Sequence, residues 1–164
     1  MPDKALKSHR QASLELGKLA EDLVAQWLIA QGWEILQQRW RCQWGELDLV
    51  IYTANPASTQ TPLAFVEVKA RSSGNWDTNG LLSITSQKRD KLWRSAQFFL
   101  TQHPHLAALP CRFDVALVSC RLISGQESRS PLLKKTSVDI EIGKAVTIDR
   151  HCLTLQQYIP GAFD

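Results

Sequence analysis

The sequence predicts an α/β fold in which helices flank a central mixed β-sheet. Two neighbouring stretches, residues 45–51 and 63–71, are dominated by apolar and β-branched residues and are bounded by turn-forming residues, as β-strands are. A helical pattern then leads to another strand pattern over residues 111–120, and a crossover of this kind returns a strand parallel to the earlier one. With 164 residues, 44% of them hydrophobic, the chain is long enough for one domain with a substantial core.

A flexible tail and a helix are predicted at the N-terminus. Residues 1–12 have no apolar periodicity and form the predicted flexible, basic tail, so that the domain itself covers residues 13–164. Over Ser13–Gln31, apolar residues recur at three- and four-residue spacing, which predicts a helix that ends at Gly32. Glu21 lies at the margin of the apolar stripe, where it is either an ordinary boundary glutamate or part of a site.

Three strands in an antiparallel meander are predicted next. Trp33–Trp40 forms the first strand, residues 46–52 the second and Leu63–Arg71 the third. Because side chains alternate along a strand, the second strand has an apolar and an acidic face. The apolar face is predicted to carry Leu47, Leu49 and Ile51, and the acidic face Glu46 and Asp48. On the third strand, one face is predicted to carry Leu63, Phe65, Glu67, Lys69 and Arg71.

A polar loop and a second helix follow the meander. Residues 72–80 are small and polar, and loops of this kind beside a charged strand end are often functional. Trp76 in this loop is a candidate for stacking on a base, or it anchors the loop. The next helix is predicted over residues 85–102, with His103 and His105 in the loop after it.

The C-terminal part contains a predicted insertion and a last strand. Residues 124–136 are rich in turn-forming and polar residues and are predicted to form a surface insertion. The alternation of Val138, Ile140 and Ile142 predicts the last strand, and residues 153–163 form a short C-terminal segment.

Basic residues are concentrated in one part of the chain. The net charge of +3 is too small to indicate a partner by itself, but residues 69–94 contain six basic and only two acidic residues. Such a local excess suits a polyanion such as nucleic acid, and a solvated helix face is the alternative. The predicted nucleic-acid-binding residues are Arg71, Lys88, Arg89 and Lys91.

The cysteines and the termini exclude several classes of protein. The four cysteines are widely spaced and lack a ligand-like pair, so we expect free thiols in a reducing compartment and no zinc site. The N-terminus has no apolar signal region, and no run reaches the roughly 18 apolar residues of a membrane span. We therefore expect a soluble cytoplasmic protein.

The charged residues within the strands suggest a site. A carboxylate on a buried strand needs a partner, and a metal ion or a lysine are the usual ones. Asp48 and Glu67 offer oxygen ligands for Mg²⁺ or Mn²⁺, with the backbone carbonyl of Val68 as a third ligand. Lys69 would orient the attacking water or neutralise charge in the transition state, and Glu21 would contact the metal directly or through water. The alternative is a buried salt-bridge cluster without turnover.

The ordered motifs of the chain closely resemble those of the YraN family of bacterial proteins. The resemblance rests on Gly45-Glu46-Leu47-Asp48-Leu49-Val50, Phe65-Val66-Glu67-Val68-Lys69-Ala70-Arg71 and Arg112-Phe113-Asp114-Val115. It extends to Gly17-Lys18-Leu19-Ala20-Glu21 and Ala162-Phe163, and it covers residues 13–122 and the last few.

That family is similar to the PD-(D/E)xK nucleases, notably archaeal Holliday-junction resolvases. The resemblance implies a restriction-endonuclease-like core, with Glu21, Asp48, Glu67 and Lys69 at the catalytic positions. It implies a metal-dependent endonuclease that hydrolyses phosphodiester bonds in DNA, branched DNA included, and by analogy a homodimer.

Two other functions are compatible with the same residues. One is a nucleic-acid-binding module that keeps the fold without turnover. The other is a protein-interaction subunit whose carboxylate–lysine cluster is structural and whose tryptophans form the interface. Those tryptophans are Trp33, Trp40, Trp44, Trp76 and Trp93.

Overall fold

A computed structural model describes residues 3–55, 61–72, 84–123 and 139–164. Within these residues there are three helices, α1 (Asp3–Ala30), α2 (Ser86–Gln102) and the short α3 (Pro104–Ala107). The same residues contain six strands, namely β1 (Glu34–Cys42), β2 (Gly45–Tyr52), β3 (Leu63–Arg71), β4 (Cys111–Leu122), β5 (Ala145–Ile148) and β6 (His151–Phe163). The predicted loop at 72–80 with Trp76, the insertion at 124–136 and Val138 lie outside the described residues, except for Ser72.

The strands form a mixed sheet in the order β1-β2-β3-β4-β6-β5. The first three strands are an antiparallel meander, and β4 returns parallel to β3 after α2, as the sequence predicts. Strand β6 pairs antiparallel with β4 on one side and with β5 on the other. The predicted α/β fold is therefore confirmed, and it is consistent with a restriction-endonuclease-like core.

Helices cover both faces of the sheet, and the sheet divides the hydrophobic core into two layers. On the α1 face, Leu23 and Leu28 of the helix pack with Leu49 and Val66 of the strands. The opposite layer brings α2 residues such as Phe99 against the strands, with Phe65, Phe113, Leu63 and Val115. Because both faces of β3 are covered, alternate residues of this strand are buried on opposite sides.

The first helix is longer than the sequence predicts. It begins at Asp3, so the segment predicted as a tail without periodicity is helical over residues 3–12. All side chains from Lys4 to Glu15 are exposed, including Leu6 at 69% and Leu14 at 54%. The apolar stripe that identifies a helix in a sequence needs a buried face, and this part of α1 has none.

Over the described ranges, no helix is both long enough and apolar enough to cross a membrane.

The predicted strand around Ile140 and Ile142 is wrong for these two residues. Both lie in a coil and turn, and Ile140 is buried against the α1 face of the core without being in a strand. The chain turns at Gly143, whose φ of 84° favours glycine, and the Gly143 amide donates to the Leu155 carbonyl. The real strands, β5 and β6, come later, and β6 contains the segment predicted as a short C-terminal one.

A smaller difference concerns the histidines after α2. His103 caps α2, and His105 lies in α3, which begins at Pro104 where a loop was predicted. Proline is favoured in the first turn of a helix because its missing N–H is not needed there.

A fully buried aspartate joins β4 to β6. Asp114 is 0% exposed and accepts hydrogen bonds from Arg112 Nε at 2.8 Å and from Arg112 Nη2 at 3.2 Å. It also accepts from Tyr158 Oη at 2.6 Å and from the Gly161 amide at 2.9 Å, where the register between the two strands shifts. Burial and the Asp114 carboxylate raise the pKa of Tyr158 above its ordinary value. All these donors indicate a structural role for Asp114.

We expect Asp114→Asn to lower the free energy of unfolding by about 3 kcal/mol, because the substitution leaves buried donors without a charged acceptor. Tyr158→Phe removes one of the four hydrogen bonds and should cost only about 1 kcal/mol. Urea denaturation of both variants measures the difference. A value for Asp114→Asn no larger than that for Tyr158→Phe would contradict a central structural role for this carboxylate.

Candidate functional site

The candidate site lies where β2 separates from β3. Their ladder runs from the pair Tyr52 and Leu63 to the pair Leu49 and Val66 and then stops, whereas β3 stays paired with β4 as far as Arg71. Beyond the last pair, the Val68 amide donates instead to Asp48 Oδ2 at 2.8 Å. A side-chain carboxylate thus replaces the next backbone acceptor at the edge of β3.

The alternation of side chains along β2 is interrupted at the same level. Leu49 packs on the α1 face of the sheet and Leu47 on the α2 face, so the predicted common face of Leu47, Leu49 and Ile51 is wrong for Leu47. On the neighbouring strand, Arg39 lies opposite this break and has a φ of 53°, which is unusual for a residue with a side chain. A sequence pattern based on regular alternation does not predict such a break.

Three carboxylates meet beside the break. Glu21 of α1 is only 7% exposed, and Arg39 Nε donates to its Oε2. Glu21, Glu46 and Asp48 each offer one oxygen, and these three oxygens lie within 4.8 Å of one another. Glu46 in turn accepts from Arg41 Nε at 2.9 Å. The α1 helix therefore contributes its carboxylate to the same site as β2, as predicted for Glu21 and Asp48.

A second group of charges surrounds Glu67, which is 4% exposed on β3. Lys69 Nζ lies 3.1 Å from Glu67 Oε1, and Lys88 Nζ of α2 lies 3.5 Å from the same oxygen. The other oxygen, Oε2, is buried and has no hydrogen-bond partner in the part of the chain that the structure describes. A buried carboxylate oxygen without a partner is costly, and such an atom calls for an explanation.

The carboxylates influence one another electrostatically. Burial raises the pKa of Asp48 well above its ordinary value, and the charges of Glu67 and Glu21 raise it further. The Val68 amide and the Lys88 ammonium act in the opposite direction. Burial also raises the pKa of Glu21, although its hydrogen bond and ion pair with Arg39 oppose the rise.

Asp48 differs from its acidic neighbours in its partners. Glu21, Glu46 and Glu67 each form an ion pair with an arginine or a lysine. Among the described residues, Asp48 forms no ion pair within 4 Å and has the Val68 amide as its hydrogen-bond donor. The cluster therefore has two features that a cation would satisfy, the charge of Asp48 and the unpartnered oxygen of Glu67.

The other predicted residues occupy different positions. Arg71 and Lys91 are exposed, at the end of β3 and on α2. Arg89 packs on an aromatic ring, since its guanidinium lies 5.3 Å from the centre of the Phe163 ring and its Nε is buried. Val68 contributes its amide to Asp48, and the metal–carbonyl contact predicted for it stays a prediction.

Sequence reasoning missed two members of the site. Glu46 had a signal, since it was predicted to share a face with Asp48, but no role was assigned to it. Arg39 had no such signal, because its pairing with Glu21 depends on a positive φ in a residue type that rarely adopts one.

Among the described residues, two of the proposed interface tryptophans, Trp44 and Trp93, are exposed.

A family model for the uncharacterised protein family UPF0102 matches residues 20–118. The chain belongs to this family. The matched residues include all four predicted catalytic residues, Glu21, Asp48, Glu67 and Lys69. The resemblance to the YraN family, which is UPF0102, is thereby confirmed.

Relatives in the family are similar over most of their length. A UPF0102 protein of Acaryochloris marina is 44% identical over 99% of both chains. Another from Trichodesmium erythraeum is 43% identical over 92% of this chain and 89% of its own. A third from a Synechococcus species is 55% identical over 68% of this chain and 80% of its own. None of these names states an activity.

The raised pKa of Asp48 leads to a prediction for the metal-free protein. The folded state binds the Asp48 proton more readily than the unfolded state, so the ionised carboxylate costs stability at neutral pH. This cost is lost as the pH falls through the folded pKa, and it is absent below the unfolded value of about 3.9. In EDTA at pH 7, we expect Asp48→Asn to raise the free energy of unfolding by more than about 0.5 kcal/mol.

The measurement is urea denaturation in EDTA at several pH values between 7 and 4. The advantage of Asp48→Asn over the wild type should shrink as the pH falls. Asp139→Asn, a substitution at an exposed position, controls for the removal of one negative charge. If Asp48→Asn is less stable than the wild type at pH 7, the neighbouring groups favour the ionised carboxylate and our account of its environment is wrong.

Proposed function

We propose that the protein is a metal-dependent endonuclease that hydrolyses phosphodiester bonds in DNA, branched DNA included. The observation that carries this proposal is a pair of carboxylates: within the described chain, Asp48 forms no ion pair, and Glu67 has a buried oxygen without a hydrogen-bond partner. Both features suit a divalent cation better than a further hydrogen bond, because the negative charges of Asp48 and Glu67 repel each other.

The residues fit Mg²⁺ or Mn²⁺. The donors are hard carboxylate oxygens, which both ions prefer, and Asp48 and Glu67 would hold the ion with the Val68 carbonyl as a third ligand. Glu21 and Glu46 would stabilise it from the α1 side, since their oxygens lie within 4.8 Å of an Asp48 oxygen. When bound, such an ion polarises a scissile phosphate and lowers the pKa of a bound water.

The cationic side chains have separate tasks in this proposal. Lys69, held 3.1 Å from Glu67, neutralises negative charge that develops on the phosphate in the transition state or orients the attacking water. Lys88 approaches the same oxygen from α2 and binds the phosphate next to the scissile one. The exposed Arg71 and Lys91 contact more distant phosphates, which positions the DNA without reading its sequence.

A purely structural salt-bridge cluster accounts for these residues less well. A stabilising buried cluster needs all its polar atoms satisfied, because a half-satisfied network costs more than an apolar core. The Asp114 cluster meets this condition with four donors. The cluster around Asp48 and Glu67 does not meet it within the described chain. This contrast favours a ligand at the second cluster.

The direct test is cleavage of DNA by the purified, metal-stripped protein. Four-way junction, flap and linear duplex DNA, and the corresponding RNA, are incubated with Mg²⁺, Mn²⁺ or EDTA. We expect products with Mn²⁺ or Mg²⁺ and none with EDTA, and a loss of at least about 100-fold in rate for Lys69→Ala. Lys144→Ala, which changes the same residue type at an exposed position outside the carboxylate cluster, should retain the wild-type rate. Cleavage that persists in EDTA or in Lys69→Ala would exclude the proposed site.

A second prediction concerns Glu46. If its carboxylate helps to hold the ion, Glu46→Gln should raise the Mn²⁺ concentration needed for half-maximal cleavage by about 10-fold. Arg41→Gln is the matched control, because it removes the ion-pair partner of Glu46 and leaves the candidate ligand in place. Titration with Mn²⁺ measures both variants. An unchanged Mn²⁺ requirement in Glu46→Gln would remove Glu46 from the metal site.

A further inference from the structure

The exposed N-terminal part of α1 carries a line of cations that points along the helix towards the site. Helix α1 runs without a break from Asp3 to Ala30, so its exposed turns and Glu21 belong to one rigid rod. From Lys4 to Leu14 the sequence contains basic residues and no acidic one. Cations near the N-terminus of a helix are unfavourable for its dipole, so this arrangement does not arise from helix stability.

Two of these cations, and Lys18 further along the helix, lie on the side of the helix that carries Glu21. At about 100° per residue, Lys7, Arg10 and Lys18 all fall within about 60° of Glu21 around the helix axis. We call these three residues the α1 basic stripe. With a rise of about 1.5 Å per residue, they lie about 21, 16 and 4 Å from Glu21 along the axis. All three side chains are exposed.

Gly17 lies within the α1 basic stripe. Because glycine has no side chain, the helix surface does not protrude at this position. A glycine inside a helix costs about 1 kcal/mol relative to alanine. Neither conformation nor packing requires it here, since a Cβ at this position would meet only Arg39 Nη2, at an ordinary 4.0 Å. The open space at this point, between Lys18 and Arg10, lets a partner approach the helix closely.

We infer that the α1 basic stripe binds the phosphate backbone of duplex DNA and guides it to the carboxylate site. This inference rests on the proposed function for the position of the scissile phosphate. At about 3.4 Å per base pair, the 21 Å between Glu21 and Lys7 corresponds to about six base pairs of duplex on one side of the cut. A straight, rigid row of cations suits a duplex arm, which is itself stiff over this length.

An anionic membrane is a less suitable partner for the same surface. A helix that binds in a membrane interface needs a continuous apolar face opposite its basic residues. The two large apolar side chains exposed in this part of α1 are Leu6 and Leu14; they lie about two turns apart, and residues 7–13 between them are polar except for Ala12. They do not form such a face.

The test compares duplex binding by two double variants of the full chain, both in the Lys69→Ala background so that the DNA stays intact. One variant carries Lys7→Gln and Arg10→Gln in the stripe. The other carries Lys144→Gln and Arg150→Gln, which remove the same charges at exposed positions just before and just after β5, outside the stripe. Fluorescence anisotropy with a 30-base-pair duplex at several salt concentrations measures affinity and salt dependence, and circular dichroism confirms equal folding.

We expect the stripe variant to bind the duplex at least about 10-fold more weakly than the parent. The slope of log K against log salt should fall by about 1.8 in magnitude, since each lost phosphate contact removes about 0.9. The control should keep the affinity and the slope of the parent. Any of three results would overturn the inference. These are equal weakening of duplex binding in both variants, no weakening in the stripe variant, or no duplex binding by the parent at low salt. Binding to anionic vesicles but not to the duplex would do the same.

The outcomes separate this inference from the proposed function. Metal-dependent cleavage by the wild type together with unchanged duplex binding by the stripe variant would reject the stripe and leave the nuclease site. Weakened binding by the stripe variant without cleavage by the wild type in any metal would support the stripe and reject the enzyme.

Discussion

The separation of β2 from β3 after the pair of Leu49 and Val66 is the constraint on which the site depends. Strand β4 continues to pair with β3, so β3 stays extended while its other edge becomes free. The carboxylate of Asp48 then takes the Val68 amide that a regular ladder would have used. Without this separation, the acidic side chains would be enclosed in a sheet covered on both faces, where neither water nor a phosphate could reach them.

Two buried carboxylates in the same sheet differ in how completely their lone pairs are satisfied. Both Asp114 and Glu67 lie on central strands and are almost fully buried. Asp114 accepts four hydrogen bonds that hold β6 to β4 across an irregular register. Glu67 receives two lysines on one oxygen and leaves the other without a partner in the described chain. Burial alone therefore does not distinguish the two carboxylates, whereas the number of satisfied lone pairs does.

Periodicity was sufficient to predict most of the fold and part of the site. The meander, the α2 crossover and the parallel β4 follow from local patterns that tertiary packing did not override. The long start of α1 could not be predicted, because a helix exposed on all sides has no apolar stripe. The alternation of Ile140 and Ile142 wrongly predicted a strand, because these residues lie in a coil and a turn in which only Ile140 is buried. At the site, Glu21 was assigned beside Asp48 through the resemblance to a nuclease family, whereas the ion pair of Glu21 with Arg39 depends on one unusual backbone angle.

In the proposed function, the position of Glu21 on α1 connects the carboxylate site with the direction from which DNA would arrive. Glu21 is fixed on one side by the core contacts of its helix and on the other by Arg39. Lys18 lies one turn before it on the same rod, so no hinge separates the carboxylate cluster from the nearest cation of the α1 basic stripe. A duplex that follows this helix would therefore reach Asp48 and Glu67 in a fixed orientation. Such an alignment lowers the entropy that must be lost before reaction, which is the main contribution of a rigid scaffold to phosphoryl chemistry.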